Sequence, residues 1–198
     1  TPQFAAPAEK NYASSGIALK TLVRNDTSFV VQGANGSFNY DWARLSIIDI
    51  SNPKIPVLLG SYATDSRIVA TDIAILSTDI VYLTDGQCEF GMQACIGSLY
   101  IIDISNPSNP TLVKKIGLEQ TYAKRIEKIH NYLYMISSSY NEGTWASIYE
   151  ISNLEQPVFV KKLSFSSALY DVNIHGKYAY FSTEDGLHIT DVTNLANP

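Results

Sequence analysis

The chain has 198 residues, a net charge of −5 and a sequence pI near 5.1. That length supports one sizeable core, and the acidic balance with no lysine- or arginine-rich cluster excludes nucleic acid as the main partner. No apolar run approaches the roughly 20 residues of a membrane-spanning helix, so no membrane span is expected.

The predicted elements are short strands throughout. The first set covers Ile17–Val23, Phe29–Gln32, Leu45–Ile50 and Val57–Tyr62, and the second covers Asp72–Leu76, Ile80–Leu83, Leu99–Ile104 and Thr111–Ile116. The third covers Ile126–Ile129, Tyr132–Ser137, Ser147–Ile151 and Val158–Leu163, and the fourth Tyr170–Ile174, Tyr178–Ser182 and Leu187–Val192. These runs are rich in β-branched and aromatic residues, which pack well on a pleated surface, and none sustains a helical period. Turn residues separate them, among them Asp85-Gly86, His175-Gly176-Lys177 and Asp185-Gly186.

One phrase recurs at the third strand of each set. It reads LSIIDISNPKIP at 45–56, LYIIDISNPSNP at 99–110, ASIYEISNLEQP at 146–157 and LHITDVTNLANP at 187–198. The closing prolines step by 54, 47 and 41 residues, a period that belongs to repeat architectures. Four antiparallel strands per forty-odd residues is the pattern of a β-propeller blade. The expected fold is therefore all-β, a β-propeller of four-stranded antiparallel blades with four repeats in this chain. A single blade cannot bury both faces, so blades must stack about an axis.

The expected domain is one, spanning 1–198, with repeats near 17–62, 72–117, 125–163 and 170–198. The last repeat stops where its fourth strand should begin, and Thr1–Ala6 precedes the first full strand. Three arrangements fit. Residues 1–6 complete the last blade and close a four-bladed ring, or the chain is a stretch of a longer propeller, or the segment passes to a neighbouring molecule.

The Leu-x-Ile-Ile-Asp-Ile-Ser-Asn-Pro phrase resembles the LVIVD-repeat family of bacterial and archaeal secreted or surface proteins. The likeness is closest at 45–56 and 99–110 and weakest at 146–157, where Glu150 stands in place of Asp and Leu154 in place of Pro. It implies a β-propeller and no particular activity.

The repeats differ in length mainly between their second and third strands. Residues 33–44, 85–98 and 138–145 are the longer connections, and alternation of strand direction puts them on one rim with the crossings between blades. They carry Phe38, Tyr40, Trp42, Phe90, Met92, Tyr140 and Trp145, and the crossings add Arg67, Tyr122 and Arg125. Aromatics on loops of a rigid scaffold form binding surfaces, here for a protein or carbohydrate ligand. The competing reading folds these aromatics inward to cap the mouth of the ring.

Cys88 and Cys95 lie in one loop and fit a local disulfide. With thirteen tyrosines and a charged fraction of 17%, that pairing suits an extracellular, cell-surface or periplasmic protein. The alternative is two free thiols in a reducing compartment. Asp49, Asp103, Glu150 and Asp191 recur at one place in every unit, each before a turn whose amides a carboxylate can accept. No spaced Cys/His cluster, phosphate loop or nucleophile elbow appears, so no metal, cofactor or catalytic residue is expected.

The function these features predict is a non-enzymatic secreted or surface protein that binds through its aromatic loop face. Two alternatives stand beside it. One is a structural subunit polymerising by exchange of its N-terminal segment. The other is a hydrolase or lyase at the central mouth, with Arg67, Asp72 and Tyr122 as generic candidates.

Overall fold

The computed structural model describes residues 17–33, 43–65, 68–89 and 94–194. Among them every regular element is a strand. The first sheet contains β1 (Ile17–Arg24), β2 (Thr27–Gly33), β3 (Arg44–Asp49) and β4 (Val57–Ala63). The second contains β5 (Ala70–Ile75), β6 (Ile80–Glu89), β7 (Ala94–Asp103) and β8 (Thr111–Leu118). The third contains β9 (Thr121–Ile129), β10 (Tyr132–Ser139), β11 (Gly143–Glu150) and β12 (Val158–Ser164). The fourth contains β13 (Leu169–His175), β14 (Tyr178–Thr183) and β15 (Gly186–Asp191). Each sheet runs in sequence order with antiparallel neighbours, which makes it a propeller blade.

The repeated phrase builds the turn after each third strand. The Ser51 and Ser105 amides donate to Asp49 Oδ1 (2.8 Å) and Asp103 Oδ1 (2.7 Å), and the Thr193 amide donates to Asp191 Oδ1 (2.8 Å). In the third blade the Ser152 hydroxyl donates to Glu150 Oε1 at 2.8 Å. The following Asn closes a second loop, its side-chain oxygen accepting the amide two residues on at Asn52, Asn106 and Asn153. The acids expected to serve turns do so.

Alternation in the third strand then sets the stacking. Leu45 and Ile47 of the first blade face the second, in one core with Val81, Leu83, Tyr100 and Ile102. Leu99 and Ile101 of the second blade face the third, with Ala123, Ile126, Leu133 and Met135. Ala146 and Ile148 of the third face the fourth, with Leu169, Val172, Ala179 and Phe181. All these side chains are buried, and the large aliphatic ones each contribute on the order of 1.5–3 kcal/mol where fully enclosed. The fourth strands are outermost, which leaves Val57, Leu58, Leu112, Val158 and Phe159 exposed.

The innermost strands share an irregularity. Each carries a bulge, at Leu19, Thr71, Lys124 and Tyr170, between a small or apolar residue and a charged one. The charged residues are Lys20, Asp72, Arg125 and Asp171, alternating in sign from blade to blade. Lys20 Nζ lies 2.7 Å from Asp72 Oδ1, and Arg125 Nε lies 3.6 Å from Asp171 Oδ1.

Two expected loops are largely strand. Residues 85–98 and 138–145 extend the β6–β7 and β10–β11 hairpins, with pairing out to Glu89↔Ala94 and Ser139↔Gly143. Asp85-Gly86 is therefore no turn. Asp85 is buried and accepts from the Tyr100 hydroxyl at 2.9 Å, and the pair of strands simply runs on. The Asp185-Gly186 turn shifts by one residue, since Thr183 pairs with Gly186 and Glu184-Asp185 form the loop.

Candidate functional site

The β6–β7 and β10–β11 hairpins project on the same side as the crossing from the second blade to the third. That crossing is only Glu119-Gln120, between the end of β8 and the start of β9. Gln120 takes a positive φ of 54° to make so tight a passage. Hairpin and crossing together enclose a groove of about 530 Å³. Ala94 and Cys95 form its second-blade wall, Glu119 to Thr121 its floor, and Ser139 to Glu142 with Trp145 its third-blade wall. Tyr149, Phe159 and Lys162 close its outer end.

Trp145 is the centre of the third-blade wall. Its Nε1–H donates to Ser147 Oγ at 3.0 Å, which fixes the ring plane. Lys162 Nζ sits 4.0 Å from the indole centroid and pairs with Glu142, so the ring carries a cation against one face. Tyr149 and Phe159 meet edge to face at 5.7 Å, and burial pushes the Tyr149 phenol above its ordinary value. Tyr140 stands at the hairpin tip, 39% exposed. A wall of aromatic faces edged with carboxylate, amide and ammonium groups suits a ligand with both apolar faces and hydroxyl or amide edges.

Of the residues expected at the site, Tyr140 and Trp145 line this groove together. Tyr122 is placed differently, packed against the backbone of the β6–β7 hairpin. A Cβ added at Gly86 would lie 2.1 Å from Tyr122 Cβ, and one at Gly97 would lie 2.7 Å away. Those glycines are what allow the second blade's hairpin to lie on β9. Phe38, Tyr40, Trp42, Arg67, Phe90 and Met92 lie outside the described residues. Glu119, Gln120, Phe159 and Lys162 were not anticipated. The signal available for Lys162 was its strand-four position beside an extended hairpin.

Cys88 and Cys95 are directly opposed in the β6–β7 register. Cys95 is buried and is not a free thiol, whereas the side chain of Cys88 lies outside the described residues. Asp72, a generic candidate for chemistry at the mouth, is fully buried and committed to structure. Besides Lys20 it accepts the Ile73 amide at 2.8 Å and the Ile126 amide at 2.9 Å. Glu127 lies near it, its carboxyl pushed above the ordinary range chiefly by burial. Among the described residues no group of His, Cys, Asp and Glu has the geometry of a metal centre, and no helix is long and apolar enough to cross a membrane.

Stacked antiparallel blades with this turn phrase define a β-propeller. More particularly, the stretches 36–64, 94–116 and 169–198 match the LVIVD repeat, so the chain carries LVIVD repeats. The third blade, with Glu150 and Leu154 in place of Asp and Pro, falls outside those matches. No curated protein matches the sequence. Among solved structures, a hypothetical selenium-binding protein from Sulfolobus tokodaii is similar with a TM-score of 0.58 and 13% identity, over 85% of this chain and 47% of that one. A functionally unknown protein from Desulfotomaculum acetoxidans is similar with a TM-score of 0.51 and 10% identity, over 91% and 67%. A periplasmic gluconolactonase from Pseudomonas aeruginosa gives a TM-score of 0.47 and 6% identity, over 84% and 63%. The chain thus spans about half to two thirds of the length of these structures, and the likeness concerns the fold.

Proposed function

We propose that this propeller is a non-enzymatic interaction protein that binds a protein or glycan in the groove between its second and third blades. The observation that carries the reading is the convergence of Trp145 and Tyr140 on one volume of about 530 Å³, walled by two extended hairpins and floored by a two-residue crossing. A rigid scaffold holds these aromatics without the ordering cost that mobile loops would add. Polar groups of Glu119, Gln120, Asn141 and Glu142 supply directional contacts at the edges. A disulfide between Cys88 and Cys95 would brace one wall, in keeping with an extracellular, surface or periplasmic setting.

The test is a pair of arrays, one of soluble glycans and one of peptides, probed with the intact chain and with Trp145→Ala and Tyr140→Ala. The reading expects ligands whose signal falls at least tenfold in Trp145→Ala while the melting temperature stays close to that of the parent. Binding unchanged by both substitutions would place the site elsewhere.

A further inference from the structure

The groove does not end at Tyr149. Past Glu119, Thr121 and Tyr149, which line both spaces, it continues into a second cavity of about 240 Å³ in the same crevice between the second and third blades. The other side chains around this annex are apolar: Leu99, Ile116 and Leu118 of the second blade, Met135 and Pro157 of the third. The sequence explains why the crevice stands open here. Gly60 of the first blade pairs with Ile47, and a Cβ on it would lie 2.3 Å from the Pro107 carbonyl oxygen in the second blade's turn. Only glycine permits so close an approach. At the same register position the second blade has Lys114, opposite Ile101. A lysine holds the next blade's turn off, so the outer part of the second interface is left unfilled.

We infer that the ligand of the groove is an extended peptide segment with an aliphatic side chain for the annex and a basic one beside it for Glu119. The inference rests on the reading of the groove as the binding site and narrows its partner from protein or glycan to peptide. A sugar ring in the annex would bury hydroxyls against Leu99, Ile116, Leu118 and Met135, which offer them no hydrogen-bond partner. An aliphatic side chain loses no such bond and releases water from apolar surface. The main chain agrees. β8 has β7 on one side only, and Gly117 lines the annex without a side chain to screen that edge. Extended peptides pair with such edges, and a glycan has no matching ladder of amides. Charge complementarity sets the second side chain. Glu142 is matched by Lys162, whereas Glu119, exposed at the junction of the two cavities, has no salt bridge among the described residues.

Fluorescence anisotropy of labelled synthetic octapeptides with the intact chain is the experiment. The peptides carry one leucine and one lysine at varied spacing in a background of serine and tyrosine, and neutral oligosaccharides form the competing class. Replacing the peptide's leucine with serine should weaken binding about tenfold. Replacing its lysine with glutamate should weaken it about threefold, the scale of an exposed ion pair. Glu119→Lys, on the exposed crossing, should reverse the lysine preference, and Leu118→Ser should level the leucine preference. If Leu118→Ser lowers the melting temperature, Glu119→Lys decides alone. Peptides that bind regardless of leucine and lysine overturn the inference, as does binding of the oligosaccharides alone or of no peptide. Loss of whatever binding occurs in Trp145→Ala would then leave the groove itself standing. Binding untouched by Trp145→Ala, Glu119→Lys and Leu118→Ser removes the groove and the inference together.

Discussion

Lys20 of the first blade reaches across to Asp72 of the second, Nζ to Oδ1 at 2.7 Å, while the backbone amide of Ile126 in the third blade donates to the other oxygen of the same carboxylate. One fully buried carboxylate therefore joins three consecutive blades near the axis. Each contact replaces hydration that the carboxylate lost on burial.

Asp72→Ala should be among the most damaging single substitutions. It leaves the Ile73 and Ile126 amides without that acceptor and Lys20 without its partner. Each buried amide left without an acceptor costs about 1–3 kcal/mol, while Lys20, 30% exposed, can return to solvent. Asp72→Asn, which keeps an acceptor oxygen, should cost less. Urea unfolding of the two variants checks the order, and equal losses would show that the amide contacts contribute nothing.

Stability should fall in acid through the repeated turns. Hydrogen bonds from the Ser51 and Ser105 amides, and from the hydroxyl and amide of Thr193, hold Asp49, Asp103 and Asp191 below their ordinary value of 3.8. A depressed folded pKa gives stabilisation that is complete above the unfolded value and disappears as pH falls through the folded one. Glu127 acts in the opposite sense: its raised pKa means that its burial penalty is relieved as pH drops through that value. Urea midpoints measured from neutral pH to below about pH 4 should decline at the acid end. The triple variant Asp49→Asn, Asp103→Asn, Asp191→Asn should show a flatter decline, and an unchanged slope would contradict the assignment.

Much of this was legible in the sequence because a repeat states its own rule several times. The turn phrase, the strand order and the one-sided gathering of hairpins all follow from Leu45–Pro56 and its recurrences. The interior of the hairpins was not legible. Asp85-Gly86 has the composition of a tight turn, yet pairing with Ser98 and Gly97 carries the strands past it, since tertiary contacts with Tyr122 override local preference. Lys20 and Arg125 were equally obscure. Their meaning lies in bulges that align them with Asp72 and Asp171, and a bulge leaves no mark in residue type.

Gly86→Ala should loosen the join between the second and third blades. The new Cβ would fall 2.1 Å from Tyr122 Cβ, and Gly86 holds a φ of 154°. Overpacking of this kind costs about 1–3 kcal/mol. Gly176→Ala, with nothing within 4 Å of the added Cβ, makes the comparison for a positive-φ glycine in open space. A larger loss of melting temperature at Gly176 than at Gly86 would remove the contact with Tyr122 from the account.

The Cys88 and Cys95 positions predict a chain lighter by two hydrogens under non-reducing mass spectrometry than after reduction. Closing so short a loop contributes roughly 2–3 kcal/mol in the chain-entropy model, so reduction should lower the melting temperature. Identical masses under both conditions would refute the pairing.

The most direct test of the binding groove uses Trp145 as its own reporter. The sequence has two tryptophans, so Trp42→Phe leaves Trp145 as the sole indole, held against Lys162 inside the groove. Titrating this variant with any glycan or peptide retained on the arrays should shift or quench its emission along a saturable curve that matches the array affinity. Binding that saturates while Trp145 emission stays constant would contradict a site between the second and third blades.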